Sequence, residues 1–256
     1  MKIYISIIIM LLGFGLYAQE TGSVLIKNGT VITVTNGTME DTDVLITNGK
    51  ISKIGKGLNA GSDVKVIEAE GKFVMPGIID AHSHIALDAV NEATDPSTAH
   101  VWVGDALDPF DVSIYRALAG GVTTSHAMHG SANAIGGQCE TIKHRYGVKD
   151  PNQLRMDGAP RTIKFALGEN VKQSNWGDNN QSRFPQTRMG VEQVYEDYFT
   201  RAKEYEMRKK AGGNFRKDLD MESILEILNG KRFISCHSYQ QGEINMLMKV
   251  AERHGF

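Results

Sequence analysis

Met75-Pro76-Gly77-Ile78-Ile79-Asp80-Ala81-His82-Ser83-His84 decides the reading of this chain. Pro76-Gly77 marks a chain entry, the residues after it read as a buried strand, and that strand ends on two imidazoles two positions apart. Strand side chains alternate faces with period two, so His82 and His84 share one face and can share one cation. The alternative is two core histidines, each satisfied by a backbone carbonyl. Burying two imidazoles on one strand costs desolvation, and only a cation using their lone pairs offsets it.

Outward from this decapeptide the pattern differs on the two sides. From Ser23 to Lys72 the sequence reads as short strands and tight turns. Val24–Ile32 is expected to be a hairpin turning at Asn28-Gly29, Val44–Gly55 a second turning at Asn48-Gly49, and Val64–Glu68 a further strand of a small antiparallel unit. After Lys72, Gly-bounded apolar runs alternate with helical periodicity. Phe73–Asp80, Gly121–Ala127, Thr162–Leu167 and Arg232–Cys236 are expected as buried strands, with a weaker one near Glu140–Lys143. Asp111–Ala119, Val191–Arg208, Met221–Leu228 and Gly242–His254 are expected as helices. Such alternation builds a parallel sheet, and the length suits a β/α barrel. Asp88–Pro109 and Gln173–Arg188 are long polar connections, both after a strand, on the side where a barrel carries its chemistry.

Composition narrows the function classes. The 28 Lys and Arg against 30 Asp and Glu leave a formal charge of −2, which removes the basic footprint expected of a nucleic-acid binder. Met1-Lys2, the apolar run Ile3–Leu16 and the small Ala18 read as a signal peptide over residues 1–18. The run is shorter than the roughly 20 residues needed to span a bilayer. Export to the periplasm or beyond, with no further membrane association, is the expectation. The domain reading is then 1–18 signal peptide, 19–72 β unit and 73–256 barrel. Cys139 and Cys236 carry no disulfide spacing, because Cys236 faces away from His237 in a short strand. A small-molecule substrate is expected, and nothing in the sequence speaks to oligomeric state.

The runs DVLITNGKISKIG at 43–55, EAEGKFVMPGIIDAHSH at 68–84 and GVTT at 121–124 resemble the amidohydrolase superfamily, and the likeness extends over Val24–Phe256. Within it the chain is similar to the imidazolonepropionase-like and other cyclic-amide or dipeptide-hydrolysing branches. The resemblance implies a distorted (β/α)8 barrel and a small β-sandwich made from both chain ends. It also implies a divalent cation, zinc by preference, as one or two ions. A closed barrel takes about 250 residues and eight strands. The text after Lys72 offers about five, so the expectation is an N-terminal fragment that is inactive by itself.

By the same resemblance, His82 and His84 are metal ligands and His237, at the end of the fifth strand, is another. Two candidates stand for the ligand between them. Lys164 lies where binuclear members carry a carboxylated lysine. Glu169 could ligate directly, and is preferred because Gly168 lets the chain turn just before it. The family's catalytic aspartate of the eighth strand and histidine of the sixth have no counterpart among these residues, so the catalytic acid or base is unknown. His126, His129, Asn133 and Gln138 are candidates to line the substrate pocket, with Gly136-Gly137 admitting backbone N–H groups to a ligand, while His144 and His254 read as surface positions. The reaction expected is hydrolysis of carbon–nitrogen bonds other than linear peptide bonds by metal-activated water. Alternatives are a dipeptidase, a non-catalytic scaffold homologue and a nucleobase-type deaminase. The last is disfavoured because Gln240 stands three residues after His237, where such deaminases carry glutamate, and the nearest acid is Glu243.

Overall fold

The computed structural model describes residues 22–172 and 183–256, so residues 1–21, which include the expected signal peptide, and positions 173–182 of the second long connection lie outside it. The chain divides between Pro76 and Gly77 into two units.

The first unit is one sheet. Its strands are β1 (Val24–Ile32), β2 (Thr38–Thr47), β3 (Lys50–Gly55), β4 (Lys65–Glu68) and β5 (Phe73–Val74), in the order β3-β2-β1-β4, with β5 also on β1. Two expectations change here. Val24–Ile32 is a single strand, not a hairpin. Asn28 takes a left-handed φ of +59°, its N–H donates to Asp43 Oδ1 at 2.9 Å, and the register slips around Gly29. The Asn-Gly pair makes a bulge, with β5 lying alongside so close that a Cβ at Gly29 would sit 2.7 Å from Val74. At Asn48-Gly49 both φ values are positive, 50° and 73°, and the β2-β3 hairpin forms as expected. The unit is also not wholly antiparallel, since β4 and β5 run parallel to β1.

The expected strand Phe73–Asp80 is split. β5 belongs to the first unit, and β6 (Ile78–Ser83), which carries His82 and ends one residue before His84, begins after Pro76-Gly77. Proline has no N–H to continue a ladder, so the strand breaks there. Ile78 and Ile79 are exposed rather than buried.

In the second unit β6 is followed by α1 (Val112–Ala119), β7 (Val122–Ala127), β8 (Ile135–Gln138), β9 (Glu140–Lys143), β10 (Arg161–Ala166), α2 (Arg188–Ala211), α3 (Leu219–Leu228), β11 (Arg232–His237) and α4 (Gln241–His254). Caps set the helix ends. Asp111 accepts from Ser113 N, Asp218 accepts from Met221 N, and Gly255 closes α4 in the left-handed region. β6 pairs parallel with β7, and β10 parallel with β11. Between them β9 runs antiparallel to β7 and β8 antiparallel to β10, joined through Cys139, whose N–H donates to Thr162 O. The third strand is therefore inverted. A parallel crossover needs about a dozen residues or more, and Met128–Ala134 is too short for one. Phe165, Tyr195, Phe199, Ile224 and Val250 form the main core between this sheet and α2, α3 and α4, and Ile114, Ala127, Ile142 and Leu154 form a smaller one.

Candidate metal centre

His82 on β6 and His84 just past its end come together, with ring centroids 5.3 Å apart and rings nearly perpendicular. Both are exposed rather than buried as expected, because Ser83 between them takes the inward face. His84 Nδ1 lies 2.7 Å from Met128 O. A carbonyl only accepts, so Nδ1 carries the proton and Nε2 keeps its lone pair, the tautomer a ligating histidine needs. On β10, Ile163 and Phe165 join the helical core, and alternation turns Lys164 to the other face. Its side chain is 1% exposed, with Nζ 3.3 Å from His82 Nε2. His237 ends β11 in register with Ala166, and its Nε2 is buried with no hydrogen-bond partner.

The electrostatics mark these four groups as neighbours. Burial, then the charge of Lys164, then His84 and His237, push His82 below the ordinary imidazole value. Burial and Lys164 do the same to His237, and burial lowers Lys164 itself. Among the described residues Lys164 has no carboxylate partner, and no three His, Cys, Asp or Glu side chains already stand at metal-holding separations. The donors nonetheless suit a divalent cation: imidazole nitrogens, one of them orphaned, beside a buried amine that becomes a carboxylate ligand if carboxylated.

Glu169 corrects the preferred fourth ligand. It is exposed enough to pair with Lys172 at 3.0 Å and with Arg188, so its carboxylate is engaged by cationic side chains. The four pocket candidates are likewise committed. His129 Nε2 accepts from Glu92 N at 2.8 Å and Nδ1 donates to Gly130 O, and its ring lies where a Cβ on Gly136 or Gly137 would fall. The glycine pair thus admits a histidine ring, not a ligand. Asn133 donates to Glu92 O, Asp95 O and Thr98 Oγ1, tying down the first long loop. Gln138 bonds Ala99 O, Ser223 Oγ and Arg232. His126 bridges Ala81 O and Thr162 Oγ1. His144, expected on the surface, is buried between Val122 O and Ser125 Oγ, and the ring of His254 is buried against Phe199 and Glu196.

Tyr239 was not anticipated. It is exposed, its ring edge-on to His237 at 4.5 Å, and its place two residues past a strand-end histidine was the available signal. Both cysteines are free, and burial pushes the Cys139 thiol up to about 11, so it offers no thiolate nucleophile.

No family model matches the chain. A solved amidohydrolase from Thermotoga maritima is 38% identical and superposes with a TM-score of 0.80, covering 91% of this chain and 62% of its own. The chain belongs to the amidohydrolase superfamily. Its strand-helix alternation is that of the family's β/α barrel, of which these residues hold part. An amidohydrolase, tasK, from Hapsidospora irregularis is 30% identical over 84% of this chain and 25% of its own length. A dihydropyrimidinase from Dictyostelium discoideum is 35% identical over 42% of the chain and 19% of its own length. This superfamily member thus spans a quarter or less of the curated relatives named here, and under two thirds of the Thermotoga structure.

Proposed function

We propose that this amidohydrolase hydrolyses carbon–nitrogen bonds other than linear peptide bonds in a small molecule, cyclic amides and ureides first, with one or two divalent cations, zinc by preference, held by His82, His84, His237 and Lys164. Lys164 carries the reading. A fully buried amine 3.3 Å from an imidazole nitrogen, with no described carboxylate to pair it, is costly as a free ammonium. The neutral amine adds carbon dioxide and releases a proton, and the resulting carbamate offers carboxylate oxygens among three imidazoles. When bound, the cation supplies Lewis acidity that makes water nucleophilic near neutral pH and polarises the carbonyl. The chain's own part is orientation. Met128 O fixes the His84 ring, and partial desolvation together with the nearby Lys164 lowers the pKa of His82 and His237, a shift towards the neutral ring that donates a lone pair.

The relatives named dihydropyrimidinase and dihydroorotase support a cyclic amide over a linear one. Glu243, the nearest acid to a deaminase's proton shuttle, is bound to Arg188 Nε at 2.5 Å, which supports hydrolysis over deamination. Export with removal of residues 1–18 belongs to the proposal, and the mass of the mature N-terminus tests it. The central test is metal loading. Purified in bicarbonate without chelator, the chain is expected to hold one or two zinc ions. [13C]Bicarbonate should add a carbamate carbon resonance that acid abolishes. A chain with neither zinc nor carbamate overturns the reading. On protein that includes the rest of the barrel, a panel of cyclic amides, dipeptides and aminopurines separates the reaction classes, and zinc-loaded protein inert towards all of them supports the scaffold alternative.

A further inference from the structure

His126 on β7 is half-buried and commits both ring nitrogens. Nδ1 faces Ala81 O at 3.3 Å, and since a carbonyl only accepts, Nδ1 carries the proton and donates. Nε2 then accepts from the Thr162 hydroxyl at 2.7 Å. The two partners are placed tellingly. Ala81 immediately precedes His82 on β6, and Thr162 lies two residues before Lys164 on β10, on the same face of that strand. β7 and β10 are not neighbours in the pairing, because the inverted strand of β8 and β9 runs between them. One imidazole on β7 therefore ties β6, which leads into the histidine pair, to β10, which carries the lysine, across the inverted strand.

We propose that His126 is a positioning residue that sets the spacing between Lys164 and the His82-His84 pair, so that the four groups can hold a cation together, while ligating nothing itself. The inference rests on the metal reading given above. Ladder hydrogen bonds fix β6 to β7 and β10 to the inverted strand, yet none reaches from β6 to β10. A second interaction that spans the gap is what keeps the Nζ to Nε2 distance at 3.3 Å. Partners that orient ligands are typically worth about 10- to 100-fold in metal affinity.

The test measures zinc dissociation constants on the full chain in bicarbonate, beside its thermal midpoint. Thr162→Val removes the hydroxyl with little change of shape, and His126→Ala removes the ring. Both are expected to weaken zinc binding about tenfold or more and to reduce the [13C]carbamate signal. Thr162→Val should do so with the thermal midpoint nearly unchanged. The double variant should bind zinc as His126→Ala does, because the two side chains form one link. His126→Gln, which keeps a donor and an acceptor, should recover part of the affinity. Folded Thr162→Val and His126→Ala chains that bind zinc as tightly as the unaltered chain would overturn the inference and leave the metal reading intact. An unaltered chain that binds no zinc overturns both.

Discussion

Gly168 and Glu243 are in contact across the ends of β10 and α4: a Cβ built on Gly168 would lie 2.1 Å from Glu243 Oε1 and 2.3 Å from Oε2. Gly168 also has φ +59°, in the left-handed region. The carboxylate cannot simply swing aside, because Oε1 accepts from Arg188 Nε and the side chain is buried. Gly168→Ala is therefore expected to lower the unfolding free energy by about 2 to 4 kcal/mol, from backbone strain and overpacking together. Urea denaturation measures it, and a loss below about 0.5 kcal/mol would show that the rim relaxes freely.

Lys164 and Glu169 are separated by opposite variants. Lys164→Met should abolish zinc retention, yet make the metal-free chain more resistant to urea, because it replaces a buried amine with no carboxylate partner among the described residues by an apolar side chain of similar length. Glu169→Ala should retain zinc and change stability little, since its ion pairs are partly exposed. Zinc lost from Glu169→Ala and kept by Lys164→Met would restore the glutamate as the ligand.

What could be read from the sequence was local, and what could not depended on distant partners. The His82-His84 pair needs only strand alternation, and α1, α3 and α4 are bounded by residues that act within a turn, Asp111, Asp218 and Gly255. Asn28-Gly29 and Asn48-Gly49 are the same dipeptide with different outcomes. At the first, Asp43 and the neighbouring parallel strand β5 turn a hairpin signal into a bulge. Glu169 looked available because Arg188, which engages it, lies beyond residues 173–182 in sequence. His129 and Asn133 looked like pocket residues because their acceptors and donors, Glu92 N, Asp95 O and Thr98, sit in a loop with no periodicity to read. The inversion of the third strand was within reach of the sequence, since the short Met128–Ala134 link forbids a parallel crossover.

Acid should unfold the chain earlier than its carboxylates alone would. Burial holds His129 and His144 below the ordinary value of 6.5. The unfolded chain then takes up protons that the folded chain refuses. The contribution of these groups to stability is full above 6.5 and is lost as the pH falls from 6.5 through the lowered folded values. Metal-free chain should show a urea midpoint that falls between about pH 7.5 and about pH 5.5, with a shallower fall in the His129→Gln, His144→Gln double variant. A midpoint constant over that interval, or an undiminished slope in the double variant, would show that other groups control acid unfolding.

Tyr195 ties the helical layer to the end of β10, two residues past Lys164. It is fully buried, and its hydroxyl reaches Ala166 O at 2.6 Å and Ala134 O at 3.0 Å. Burial raises its pKa well above 10, so the hydroxyl keeps the single proton it can donate. Ala134 O also accepts from Ala166 N at 3.0 Å, so the tyrosine closes a knot made by the start of the inverted strand and the end of β10. Tyr195→Phe keeps the ring stacked on Phe165, 5.3 Å away, and removes only the donor. At zero exposure water has no ready route to replace it. The expected loss is about 1 to 3 kcal/mol of unfolding free energy, the cost of leaving a buried acceptor undersatisfied. Because Ala166 is in register with His237, loosening this knot should also raise amide hydrogen exchange at Leu167, whose N–H donates to His237 O. An unchanged urea midpoint together with unchanged exchange at Leu167 would show that ladder hydrogen bonds alone hold this end of the sheet.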